Sequence, residues 1–194
     1  MFFIEDKDFL TDNHKEVIEL TQNSNGIPYF YQRSFESAYY EDMTHTLLSH
    51  VLCFRPGEQS SSYNSSFAEI YEDMLFTFCS KNQIICNEMI RAVINLTYNN
   101  GNEKCYPHVD HKEYHKQLII YLNDPKDKES HTVIMKKETP CGKEGLDIVL
   151  YPPEKYELKR IVPEKYKGVC FENLPHYQIY PRFGDRVAAI FTFK

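Results

Sequence analysis

Cys105-Tyr106-Pro107-His108-Val109-Asp110-His111 is the stretch from which the rest of this 194-residue chain can be read. His108 and Asp110 are two residues apart. On an extended strand, residues i and i+2 point to the same face, so an imidazole and a carboxylate project together. A histidine much further along, His176, is a candidate third ligand. Two imidazoles and one carboxylate suit a ferrous ion and leave its other coordination positions open. His-x-Asp alone arises often by chance, so the surrounding sequence has to carry the reading.

Downstream, Gln117 to Asn123 is an apolar, β-rich run closed by Asn123-Asp124-Pro125, which predicts a buried strand and a turn. Ten residues after His176, Arg186 opens another β-rich run that ends at Phe193. A guanidinium one strand beyond a metal-binding histidine can pair bidentately with a carboxylate of a metal-bound ligand, which lysine does less well. Upstream, Met89 to Tyr98 predicts a strand, and Asn99-Asn100-Gly101-Asn102 is a turn signal leading into the His-x-Asp loop.

The remaining elements follow from periodicity. Residues 9–22 predict an amphipathic helix with Thr11 as N-cap, and Phe67 to Ser80 a core-facing helix through Ile70, Met74, Leu75 and Phe78. Strands are expected at Ile27–Tyr31, Thr46–Phe54, His131–Lys136, Leu146–Tyr151, Leu158–Val162 and Gly168–Phe171. Many short strands, with helices confined to the first half, read as an α+β domain that is mainly β, an antiparallel sandwich or barrel. Lys126 to Lys167 is long, highly charged and free of any motif that would name a substrate.

Composition bounds the function. A net charge of −6 with interspersed acids and bases argues against a nucleic-acid partner. Fifteen Tyr, thirteen Phe and no Trp indicate an aromatic β core. No apolar stretch reaches membrane-spanning length, and the N-terminus lacks the basic and apolar regions of a signal peptide, so a cytoplasmic protein is expected. Six Cys without a Cys-x-x-Cys pair read as free, mostly buried thiols.

Taken together, His108-x-Asp110, Tyr121-Leu122-Asn123, His176 and Arg186 resemble the Fe(II)/2-oxoglutarate-dependent oxygenase superfamily, on its prolyl-4-hydroxylase-like side. The resemblance covers Arg91 to Phe193. Upstream, Leu10 to Ile18 is similar to the entry helix of that family, and Ile27-Pro28-Tyr29-Phe30-Tyr31 to its small phage and bacterial members. It implies a double-stranded β-helix, or jelly-roll, with N-terminal supporting helices. The expected organisation is one domain over residues 1–194, with a support region over 1–88 and a metal-binding core over 89–194.

The resemblance also implies roles. His108, Asp110 and His176 would hold Fe(II). Arg186, helped by Tyr121, would hold the distal carboxylate of 2-oxoglutarate, and Tyr98 would be a further cofactor-binding residue. O2 would be the co-substrate and ascorbate the reductant. The implied reaction hydroxylates a C–H bond while 2-oxoglutarate is decarboxylated to succinate. The implied substrate is a prolyl or other side chain of a peptide or protein. Small molecules, a nucleobase or a free amino acid, are the alternative. A non-enzymatic metal-binding β domain is the alternative outside enzymes.

Other residues carry plainer readings. His14, His45 and His50 read as surface or satisfied core residues. His111 and His115 are close enough in sequence to His108 to form a His-rich stretch that could bind Zn2+ or Ni2+ loosely. Arg182 is a second cation near the site, better suited to substrate or solvent than to the cofactor.

Overall fold

The structure is a computed structural model that describes residues 2–22, 26–33, 46–55, 57, 63–142 and 156–194. Its elements in chain order are β1 (Phe3–Asp6), α1 (Asp12–Gln22), β2 (Phe30–Arg33), β3 (Thr46–Cys53), α2 (Ala68–Lys81), β4 (Met89–Tyr98), β5 (Lys116–Tyr121), β6 (Thr132–Met135), β7 (Glu157–Ile161), β8 (Gly168–Glu172), β9 (His176–Gln178) and β10 (Asp185–Phe193).

Among the described residues, two antiparallel sheets form the double-stranded β-helix. The large one has seven strands in the order β1-β8-β5-β10-β4-β3-β2, and the small one has three, β7-β6-β9. Isolated bridges, Lys104 to Ile179 and His108 to His176, carry the small sheet on into the His-x-Asp loop.

Period-2 alternation assigns each face of the large sheet. Along β10, Val187, Ala189, Phe191 and Phe193 belong to a core shared with Tyr71, Met74, Leu75 and Phe78 of α2 and Ile18 of α1. Those α2 residues recur at helical spacing, which is why that face is buried. The other face of β10 carries Arg186 and Ala188 toward a second core with Ile119, Tyr121, Ile134 and Phe171. The helices therefore back one face of the sheet, and the other face is left for the site.

Local chemistry explains the element ends. Thr11 Oγ1 accepts from the His14 amide at 3.2 Å and caps α1. At the start of β8, a Cβ on Gly168 would sit 2.7 Å from Phe78 and 2.8 Å from Phe9, whose rings meet edge-on at 4.9 Å.

Several expectations shift. β2 begins at Phe30 rather than Ile27, beyond Pro28, which has no N–H to give a ladder. β1 and β9 were not expected as strands: at four and three residues, neither shows a readable period. The first 88 residues supply β1, β2 and β3 to the large sheet, beside α1 and α2. The strand expected at Leu146–Tyr151, and His45, lie outside the described residues. None of the six cysteines forms a disulfide, and Cys141 is exposed and Cys86 partly so. Among the described residues, no helix is long and apolar enough to cross a membrane.

Candidate metal centre

His108 and Asp110 lie on the loop entering β5, and His176 opens β9. The His108–His176 bridge is closed by two backbone hydrogen bonds, each amide donating to the other's carbonyl at 2.9 Å. Fold and site are thus joined at one ladder rung. One ligand atom from each of His108, Asp110 and His176 lies within 4.8 Å of the others, and among the described residues they form the one such group. The imidazole rings of His108 and His176 are 4.5 Å apart between centroids, and His176 Nε2 is 3.6 Å from Asp110 Oδ2.

Hydrogen bonds prepare both imidazoles in the same way. The Nδ1 atoms of His108 and His176 lie 2.9 Å from the Tyr106 carbonyl and 3.1 Å from the Leu174 carbonyl. Each carbonyl needs a donor, so the proton belongs on Nδ1 and Nε2 is the nitrogen whose lone pair a metal would use. Burial opposes ionisation of Asp110, but His176 and His108, with Arg91 beyond them, outweigh it and hold the carboxyl at about 2. Asp110 Oδ2 is buried with no hydrogen-bond partner. Two oriented nitrogen donors and an orphaned anionic oxygen are what a ferrous ion would satisfy, so these residues fit the metal.

Farther into the barrel lies Arg186, only 4% exposed. Its Nη1 donates to Gln178 Oε1 and its Nη2 to Thr132 Oγ1, while Nε is buried without a partner. Its guanidinium lies 5.3 Å from the centre of the Tyr121 ring, and the Tyr121 hydroxyl donates to Thr132 Oγ1 at 2.9 Å. Burial pushes the Tyr121 phenol up, so it stays neutral and a donor. No carboxylate among the described residues pairs with Arg186, so a dicarboxylate cofactor's far end fits this end of the barrel.

Tyr98 does not join this group. Across the β4–β10 ladder the partner of Arg186 is Thr97, and Tyr98 faces Asp185. Alternation puts Tyr98 on the face of Ile94 and Leu96, which pack toward the helices. A shift of one residue along a strand reverses the face, and spacing from His108 could not reveal that. Arg182 is held elsewhere, its guanidinium gripping buried Asp127 at 2.7 and 2.8 Å.

His111 and His115 stack edge-on at 4.8 Å behind the ligands. His111 Nε2 lies 2.8 Å from Thr192 Oγ1, and burial, with His115 next, pushes its imidazole down to about 4. Of the plainly read histidines, His14 is buried against Asp73 at 2.8 Å, and His50 bridges Ser65 and the Pro28 carbonyl.

Three residues near the site had no sequence signal: Thr132 and Gln178 on Arg186, and Gln117, whose Nε2 lies 3.3 Å from His176 Nε2. Each is brought in by pairing between strands distant in sequence.

No protein-family model matches the chain, and no curated protein is similar to it in sequence. Solved structures are similar in fold. An oxidoreductase of the 2OG-Fe(II) oxygenase family from Burkholderia pseudomallei superposes with a TM-score of 0.69 at 13% identity, over 99% of this chain and 84% of that one. A prolyl hydroxylase from Trichoplax adhaerens, in complex with a hypoxia inducible factor peptide fragment, gives 0.56 at 12% identity, over 98% and 83%. A non-heme alpha ketoglutarate dependent epimerase from nogalamycin biosynthesis gives 0.58 at 9% identity, over 98% and 77%. The chain therefore has the double-stranded β-helix fold of the Fe(II)/2-oxoglutarate-dependent oxygenases.

Proposed function

We propose that this protein is an Fe(II)- and 2-oxoglutarate-dependent dioxygenase that hydroxylates a C–H bond, with a prolyl or other side chain of a peptide or protein as substrate. The observation that carries the reading is the pairing of two features in one barrel. One is the convergent group His108, Asp110 and His176. The other is the buried guanidinium of Arg186, which no described carboxylate meets. A structural metal site would account for the first and leave the second unexplained. The peptide arm draws on the prolyl hydroxylase of the same fold with a peptide bound.

Bound together, Fe(II) and 2-oxoglutarate would supply O2 activation coupled to decarboxylation to succinate and CO2. The chain's own residues do the rest. The Tyr106 and Leu174 carbonyls fix both imidazoles with Nε2 toward the metal. Asp110 is ionised near neutral pH and lowers the charge of the centre. Arg186 would pair with the distal carboxylate, with Thr132 and Tyr121 holding the guanidinium in place. Ile119, Tyr121 and Ala188 keep the cofactor end of the barrel dry. Ascorbate would serve to return iron to the ferrous state.

Asp110→Ala tests the assignment. The variant should keep its fold by circular dichroism and lose both Mn(II) binding and Fe(II)-dependent release of succinate from 2-oxoglutarate. Asp110→Glu should fail too, because an extra methylene moves the oxygen out of place. Succinate release at the parent rate by Asp110→Ala would overturn the ligand set.

A further inference from the structure

Beside the metal group sits a carboxamide that the described fold leaves half satisfied. Gln117 is the second residue of β5, and its cross-strand partners are Thr192 of β10 and Phe171 of β8. It is 2% exposed. Alternation along β5 puts it on the face of Ile119 and Tyr121, the face that carries the site. Its Nε2 lies 3.3 Å from His176 Nε2, and its Oε1 is buried with no hydrogen-bond partner. Buried polar atoms are almost always paired, so this acceptor points to a donor that the chain does not supply.

The contact with His176 cannot persist once a metal binds. His176 Nδ1 gives its proton to the Leu174 carbonyl, so Nε2 is an acceptor and Gln117 is the donor to it. A metal would use the same lone pair, so ligation displaces the carboxamide from that nitrogen. The side chain is not carried away, because pairing to β8 on one side and β10 on the other fixes its stem. It stays at the edge of the centre with N–H donors and an acceptor to place. Oxygen ligands take the open positions of a ferrous ion held by two imidazoles and a carboxylate. A water there can donate to Oε1, whereas a carboxylate has only lone pairs and accepts from Nε2. Glutamine can serve either, since its terminal torsion is broad. Tyr121, which marks the Arg186 end, lies four residues farther along β5, roughly 13 Å away. Gln117 and Arg186 therefore address opposite ends of one ligand.

We propose that Gln117 changes partner with the state of the centre: it donates to His176 in the metal-free protein and, once a metal takes that nitrogen, donates to the metal-side carboxylate of 2-oxoglutarate. The proposal rests on the oxygenase reading above. It gives one residue opposite effects on two binding events. The metal has to displace an N–H donor, so Gln117 opposes metal binding. The co-substrate gains a charge-assisted donor, so Gln117 favours its binding. A side chain that only filled space would, when replaced, weaken both.

The test uses the full chain, with Mn(II) affinity read by electron paramagnetic resonance and anion affinity by isothermal titration into the Mn(II)-loaded protein. The anions are 2-oxoglutarate and oxalate, a dianion that chelates a metal and has no distal carboxylate for Arg186. Gln117→Met, close in volume and unable to donate, should bind Mn(II) at least as tightly as the parent and both anions about tenfold more weakly. Gln117→Glu accepts but cannot donate, and it adds a negative charge. It should bind Mn(II) more tightly than the parent, and both anions more weakly than Gln117→Met does. Arg186→Ala should weaken 2-oxoglutarate and leave oxalate at the parent affinity, which separates the two ends. Parent-level oxalate affinity in either Gln117 variant, or a loss of Mn(II) affinity in Gln117→Met, would overturn the proposal. Failure of the Mn(II)-loaded parent to bind 2-oxoglutarate would instead refute the oxygenase reading.

Discussion

A guanidinium buried as deeply as Arg186 is stable only with full hydrogen bonding and a counter-charge, because removing it from water is costly. Gln178 and Thr132 supply part of the bonding, and the open Nε marks what is missing. Arg186→Ala should weaken 2-oxoglutarate binding by roughly ten- to a few-hundredfold, each ~1.4 kcal/mol being tenfold. Arg186→Lys should fall between, keeping charge but losing the fork. Mn(II) affinity measured by electron paramagnetic resonance should change far less, since no metal ligand is touched. A second residue pair sets an acid limit on stability. The Arg182 fork on Asp127, together with backbone amides, holds that carboxyl well below the usual carboxylate range. A depressed folded pKa gives stability that is present above the unfolded value, near 3.9, and lost as pH falls through the folded one. Arg182→Gln should therefore lower the melting temperature at pH 7, by a small amount because the arginine is exposed and its pairing is screened by solvent. The difference from the parent in thermal melts should shrink as pH drops below about 4. A difference that is constant down to pH 2 would show that the pair is not ionic in effect.

Single elements show where periodicity is informative and where it stops. The α2 stripe and the alternation of β10 were legible because each buries one face over several repeats. His108 and Asp110 were legible as a pair because two-residue spacing is local. The face that Tyr98 takes was not legible: register against β10, which sets it, depends on a partner almost ninety residues away. Thr132 and Gln178 were missed for a related reason, since β6 and β9 meet Arg186 only after the small sheet folds over the large one. At the β8 end, close packing replaces chemistry. A methyl on Gly168 would collide with the Phe9 and Phe78 rings that join β8 to α2. Gly168→Ala should lower stability by roughly 1–3 kcal/mol through overpacking, measured by urea unfolding, with little change in Mn(II) affinity. An unchanged midpoint would mean that the aromatic pair yields without cost.

Across the whole molecule, the division of labour follows from one sheet with two faces. The helix-side face is filled with apolar residues and carries stability. The other face carries Arg186 and Ala188 toward the second core and faces the small sheet that brings His176. The mainly β jelly-roll was legible in the many short strands and in the resemblance carried by the histidines, aspartate and arginine. The identity of the substrate was not legible, because the loops that select it need only shape and charge at the mouth, with no fixed motif. What the two faces share is the claim that the inner one was built around a metal and a dicarboxylate together. Isothermal titration of 2-oxoglutarate into the full chain, with Mn(II) and after treatment with a chelator, tests that claim most directly. Saturable one-to-one binding with Mn(II), lost or at least tenfold weaker without it, is the predicted result. Binding that is absent with Mn(II), or equally strong without it, would contradict the account.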